Sequence, residues 1–187
     1  MPVPTWFEWH IRIKILDKTE LDEADISIPY FFENEDKSEE ILELEAYTYL
    51  KNGNEVIKKK VLAEDVFDEQ ISNHIKVKKF VFPDVQEGAI LEYSYRLKTP
   101  FFFNLPDWQF QSSIPTVHSE YFVGLTPFYI YVYSIQGIDT FNIQTIEEDV
   151  TWKQFGTVRT WSGQDLGEAS NYRDMNHRFV KKDVEAL

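Results

Sequence analysis

Between Ala89 and Thr99 the chain alternates residue by residue. Leu91, Tyr93, Tyr95 and Leu97 take one side, and Glu92, Ser94, Arg96 and Lys98 take the other. Successive side chains of a β-strand point to opposite faces, whereas a helix repeats every ~3.6 residues, so the segment belongs in a sheet with one buried face. The same pattern recurs at Trp9, Ile11, Ile13 and Ile15, set between His10, Arg12 and Lys14. Ala24–Phe32 continues in this style, but Pro29 has no amide to donate and sends that strand to an edge or an end. In Glu39–Leu50, Leu42, Leu44, Ala46 and Leu50 share a face opposite Glu43, Glu45, Tyr47 and Tyr49.

Turn chemistry divides these runs. Lys51-Asn52-Gly53-Asn54 predicts a hairpin, because Asn and Gly tolerate positive φ, with Glu55–Val61 as the return strand. His74–Phe82, Thr116–Leu125, Phe128–Ser134, Phe141–Ile146, Val150–Phe155, Thr157–Ser162 and Asn176–Val184 read as further strands. Leu62–Ser72 is acidic at its start and carries Leu62, Val66 and Phe67 near helical spacing, so it predicts a short helix or a turn. Gln164–Asp174 has room for one helical turn. Many short strands between regular turns specify an all-β fold: a mostly antiparallel two-layer sandwich, with at most one or two short helices. No repeat, low-complexity tract or linker composition interrupts it, and a single domain over residues 1–187 is expected.

Composition supports this class and removes several functions. Aromatic residues make up 16% of the chain, and Tyr and Phe fit pleated, half-buried surfaces. The formal net charge of −13 repels phosphate backbones and anionic lipid surfaces. There are no cysteines, which excludes disulfides, thiolate metal sites and a cysteine nucleophile. No run approaches the ~18 apolar residues of a membrane-spanning helix, and the start MPVPTWFEWHIRIKIL lacks the layout of a signal peptide. Alternation begins almost at once, by Trp9, so the chain reads as a fragment of a longer protein.

Residues with reactive chemistry are scattered. His10, His74, His118 and His177 lie far apart, and only His118 has a carboxylate, Glu120, on its own strand face. Ser112-Ser113 and Ser162-Gly163 lack a nucleophile elbow. The acidic clusters Asp22/Glu23/Asp25, Glu39/Glu40 and Glu147/Glu148/Asp149 fall in expected loops and read as solvated charge. The densest feature is Phe101, Phe102, Phe103, Trp108 and Phe110 within one loop. Buried, these rings plug one end of a sandwich; exposed, they form a sugar-stacking platform or a patch for a partner. Tyr129, Tyr131 and Tyr133 alternate in FYIYVYS and would supply a second platform on one strand face.

The run G-x-I-x-E-Y-x-Y at Gly88–Tyr95, then P-F-x-F-N-L-P-D-W at Pro100–Trp108, then I-P-x-x-x-S-E-Y at Ile114–Tyr121 resembles a bacterial all-β domain of unknown function. Weaker matches flank it at His10–Leu16, Asp25–Phe31 and Phe179–Leu187. In the family that it resembles, the domain stands N-terminal to transglutaminase-like domains with a papain-like Cys-His-Asp site, in periplasmic or secreted proteins. The resemblance implies a non-catalytic accessory module that positions or packs against such a transglutaminase-like or protease-like domain of the same parent protein. It implies no cofactor, no metal and no catalytic residue in these 187 positions, because a chain without cysteine cannot supply that nucleophile. The alternative function is a carbohydrate-binding module built on Trp108 with Tyr129, Tyr131 and Tyr133.

Overall fold

Alternating segments become strands, and every described strand pair is antiparallel. The computed structural model describes residues 5–34, 37–101, 105–137, 140–155 and 170–187. The chain forms two compact units, Met1–Leu105 and Pro106–Leu187. Their boundary falls within Asn104-Leu105-Pro106-Asp107, which carries no linker composition.

The first unit holds β1 (Thr5–Lys14), β2 (Asp25–Phe31), β3 (Glu40–Asn52), β4 (Glu55–Lys60), β5 (Phe67–Gln70), β6 (Ile75–Val81) and β7 (Ile90–Thr99). They build a four-stranded sheet in the order β1-β7-β3-β4 and a three-stranded sheet in the order β2-β6-β5. Ala46 and Leu91 from the first sheet meet Ile26, Ile28 and Phe80 from the second, with Ile15, Ala24, Val61, Phe82 and Ala89 completing the buried cluster. Each of the larger side chains contributes ~1.5–3 kcal/mol by leaving water. Among the described residues of this unit the helical content is two 3-10 turns, Lys18–Ala24 and Ala63–Asp65.

Three local expectations change on inspection. The hairpin loop is Gly53-Asn54 rather than Asn52-Gly53: Asn52 pairs with Glu55, and Gly53 sits at φ 61°. A glycine at the first loop position is what a type II′ turn asks for. In β3 the register shifts between Leu42 and Glu45, and Glu43 adopts φ 52°. This bulge inserts one residue and reverses the alternation upstream. Ile41 and Leu44 therefore pack on the core, while Leu42 pairs with Arg96 on the outer face and leaves the row of Leu44, Ala46 and Leu50. Finally, Leu62–Ser72 is helical only at Ala63–Asp65; its second half is β5, paired with β6. Pro29 behaves as expected, since β2 is an edge strand.

The second unit holds β8 (Thr116–Leu125), β9 (Ile143–Glu148), β10 (Lys153–Phe155), β11 (Ser170–Tyr172) and β12 (Met175–Val184). Its main sheet runs β8-β12-β9, and β10 pairs with β11. Leu125, Phe179 and Val180 are buried. Phe128–Ser134, expected as a strand, forms no ladder despite its alternation. Ile130 and Val132 stand almost fully exposed, at 95% and 93%. The expected strand Thr157–Ser162 lies outside the described residues, as does the start of Gln164–Asp174, whose described end contains β11.

Candidate functional site

The aromatic loop is anchored at both ends. Phe101 meets Phe31 of β2 edge-on at 5.2 Å and 88°, and its amide donates to Thr99 Oγ1 at 3.1 Å. Phe101 keeps 37% of its surface exposed. Trp108 is half-buried, and its indole Nε1–H donates to the buried Ser119 Oγ at 3.1 Å. From Trp108 a chain of rings runs through the second unit. Phe110 lies 6.3 Å from Trp108, Phe141 5.1 Å from Phe110, and buried Phe179 5.3 Å from Phe141. Trp108 and Phe110 are thus packing residues of the second unit. Phe102 and Phe103, the other two candidates in the loop, lie outside the described residues.

The tyrosines of the expected platform do not share one plane. Tyr129 and Tyr131 meet at 79°, so their faces are not coplanar, and Tyr133 packs edge-on against Phe179 at 5.5 Å. The pair on β8 is neutralised. His118 Nε2 reaches Glu120 Oε2 at 3.2 Å, but Arg178 clamps the same carboxylate through Nε at 2.6 Å and Nη2 at 3.1 Å. The Arg178 hydrogen bonds hold Glu120 below the usual carboxylate range, against the opposing effect of burial. Among the described residues no group of three or more His, Asp or Glu side chains is placed to hold a metal ion.

A polar network that sequence reasoning missed covers the outer face of the four-stranded sheet. Cross-strand pairing sets it up: Arg12 of β1 faces Glu92 of β7, which faces Tyr47 of β3, which faces Lys60 of β4. Glu92 Oε1 accepts from His10 Nε2 and from Arg12 Nη2, both at 2.7 Å. Lys60 reaches Glu45 at 3.3 Å. Lys58 places its ammonium 3.6 Å from the centre of the Tyr47 ring, a cation–π contact. Further along the face, Arg96 meets Glu8 at 3.2 Å and bulged Glu43 at 3.3 Å. The only signal in the sequence was strand parity, since His10 and Glu92 are 82 residues apart.

Glu92 gives this network a pH signature. Burial pushes its carboxyl up, but hydrogen bonds from Arg12, His10 and Tyr49, with the Arg12 charge, outweigh it and bring the pKa from 4.5 to about 2. A folded pKa below the unfolded one means that the stabilisation is present above pH 4.5 and is lost as pH falls towards about 2. Glu92→Gln should lower stability at neutral pH by about 1.5–3 kcal/mol, as expected for hydrogen bonds to a charged group. It should also flatten the acid limb of a urea-midpoint profile. An unchanged acid limb in the variant would remove Glu92 as its source.

Residues 7–167 match DUF3857, a domain of unknown function with solved structure. The chain belongs to the DUF3857 family. None of the curated proteins matches it. A crystal structure of a "putative protease" from Parabacteroides distasonis is similar to this DUF3857 chain with a TM-score of 0.61 and 13% identity. The likeness covers 97% of this chain and 32% of that one, and at such identity it is a likeness of fold. The DUF3857 chain therefore spans about a third of that protein's length. Among the described residues no helix is long and apolar enough to cross a membrane.

Proposed function

We propose that this DUF3857 chain is a non-catalytic accessory module of a longer protein, where it packs against and positions a transglutaminase-like or protease-like domain. The observation that supports this reading most is the likeness in fold of nearly the whole chain to 32% of a Parabacteroides protein described as a "putative protease". Chemistry agrees: a chain with no cysteine has no thiol for a Cys-His-Asp site. Strongly exposed Ile130, Val132 and Val150, with Trp152 at 62%, supply apolar surface suited to a neighbouring domain. A periplasmic or secreted location belongs to the same proposal.

The test compares the 187-residue chain with the full reading frame of its gene, using casein hydrolysis and amine incorporation into casein. The expected result is no turnover by the chain alone, turnover by the full protein, and a lower rate or lower thermal stability once residues 1–187 are removed. Turnover by the purified chain would overturn the proposal. So would a catalytic domain indifferent to the module in both activity and stability.

A further inference from the structure

Tyr49 stands between two shallow depressions on the outer face of the four-stranded sheet. One, of about 210 Å³, is lined by His10, Glu45, Tyr47, Lys58, Glu92 and Ser94. The other, of about 310 Å³, is lined by Lys14, Lys51, Asn54, Glu55, Val56 and Ile90. They share Tyr49, and one line of cross-strand partners runs past both across all four strands: Lys14 with Ile90, Ile90 with Tyr49, and Tyr49 with Lys58. Three interstrand spacings separate its ends, roughly 14 Å.

The charge on this face is unusual for the chain. Acidic residues outnumber basic ones 32 to 19, and Arg12 and Lys60 each have a carboxylate partner. Lys14, Lys51 and Lys58 have none among the described residues. Three ammonium groups without a carboxylate partner, Lys58 resting over the Tyr47 ring, thus edge a shallow trough whose floor also presents carboxylates, hydroxyls and an amide. Ile90, Val56 and the Tyr49 ring add a short apolar strip.

We propose that this trough binds an acidic oligosaccharide, a chain of uronic-acid units. Such a ligand matches both halves of the lining. Its carboxylates pair with the three lysines, and its hydroxyls donate to Glu45, Glu55 and Glu92 and accept from Tyr47 and Ser94. The C–H face of a pyranose ring suits the apolar strip. An acidic peptide meets the lysines equally well and feels the same repulsion from the three carboxylates, but it brings few hydroxyl donors to offset that repulsion, whereas each uronate unit brings several. A neutral glycan leaves the lysines unused. The trough's lining includes no residue of the Tyr129–Tyr133 segment, and the site does not depend on a catalytic neighbour.

The experiment is an amide NMR titration of the ¹⁵N-labelled 187-residue chain with trimers of galacturonate, glucuronate and mannuronate. Cellotriose and poly-glutamate serve as controls. The expected result is shift changes on β3, β4 and β7 with at least one uronate trimer, weakened by added salt and absent with both controls. Combining Lys14→Gln, Lys51→Gln and Lys58→Gln should weaken binding about tenfold or more with the sheet signals otherwise unmoved, since each substitution removes a charge-assisted contact. The proposal is overturned if no uronate trimer shifts these amides, if cellotriose or poly-glutamate shifts them equally, or if the triple variant binds as well as the parent.

Discussion

Phe80→Ala is expected to destabilise the protein by about 3–5 kcal/mol, the range for removing a buried ring and leaving its cavity. Phe80 is fully buried on β6, with Phe82 5.5 Å away at 74° and Tyr93 5.9 Å away at 76°. Ile26 faces it across the strand pair, and Leu91 reaches the same cluster from the other sheet. The ring therefore fills the space between the two layers of the first unit. Removing it takes away area burial and two edge-on aromatic contacts, and neighbours fixed in two hydrogen-bonded sheets can close the gap only in part. Phe80→Leu keeps most of the volume and should lose about 1 kcal/mol. Urea denaturation followed by tryptophan fluorescence and by far-UV circular dichroism gives both numbers. A loss below about 1 kcal/mol for the alanine variant would mean that the two sheets do not rely on this contact.

The strands that could be read from sequence are those in which tertiary packing agrees with local alternation. β1 and β7 pair in unbroken register from Thr5–Thr99 to Lys14–Ile90, so each keeps one face throughout. Legibility failed where one residue changed the parity or where alternation had no partner. The bulge at Glu43 is invisible in composition, because glutamate has no preference for positive φ, yet it moves Leu42 to the opposite face. β5 has only Phe67 as an apolar member, and its acids resemble a helix start; its strand state comes from pairing with β6, where Lys78 meets Asp68 and Lys79 meets Glu69. FYIYVYS alternates as well as any strand, but alternation states only that two sides differ, and no ladder recruits it. The polar network around Glu92 was hidden for another reason. Its members come from β1, β3, β4 and β7, and only the register brings them together.

Trp108→Ala should be about as damaging as the loss of Phe80, at roughly 3–5 kcal/mol, although Trp108 stands in a loop rather than in a strand. Two features raise the cost above that of an exposed aromatic. The ring lies 5.7 Å from Tyr121 and leads through Phe110 and Phe141 to buried Phe179, so it closes one side of the second unit's core. Its indole N–H donates to a serine that is itself 93% covered, given a relative exposure of 7%. Ser119→Ala removes that acceptor from a largely buried position and should lose about 1–3 kcal/mol alone. Once Trp108 is already alanine, Ser119→Ala should do little, which gives a coupling of about 0.5–3 kcal/mol in the double-mutant cycle. Phe101→Ala serves as the internal comparison: the residue is 37% exposed and meets Phe31 edge-on, and a smaller loss of about 1–2 kcal/mol follows. A sugar-stacking tryptophan would behave in the opposite way, with little effect on thermal denaturation and a large effect on glycan binding. An additive Trp108/Ser119 cycle with both single variants near parental stability would therefore return the loop to the ligand-binding reading.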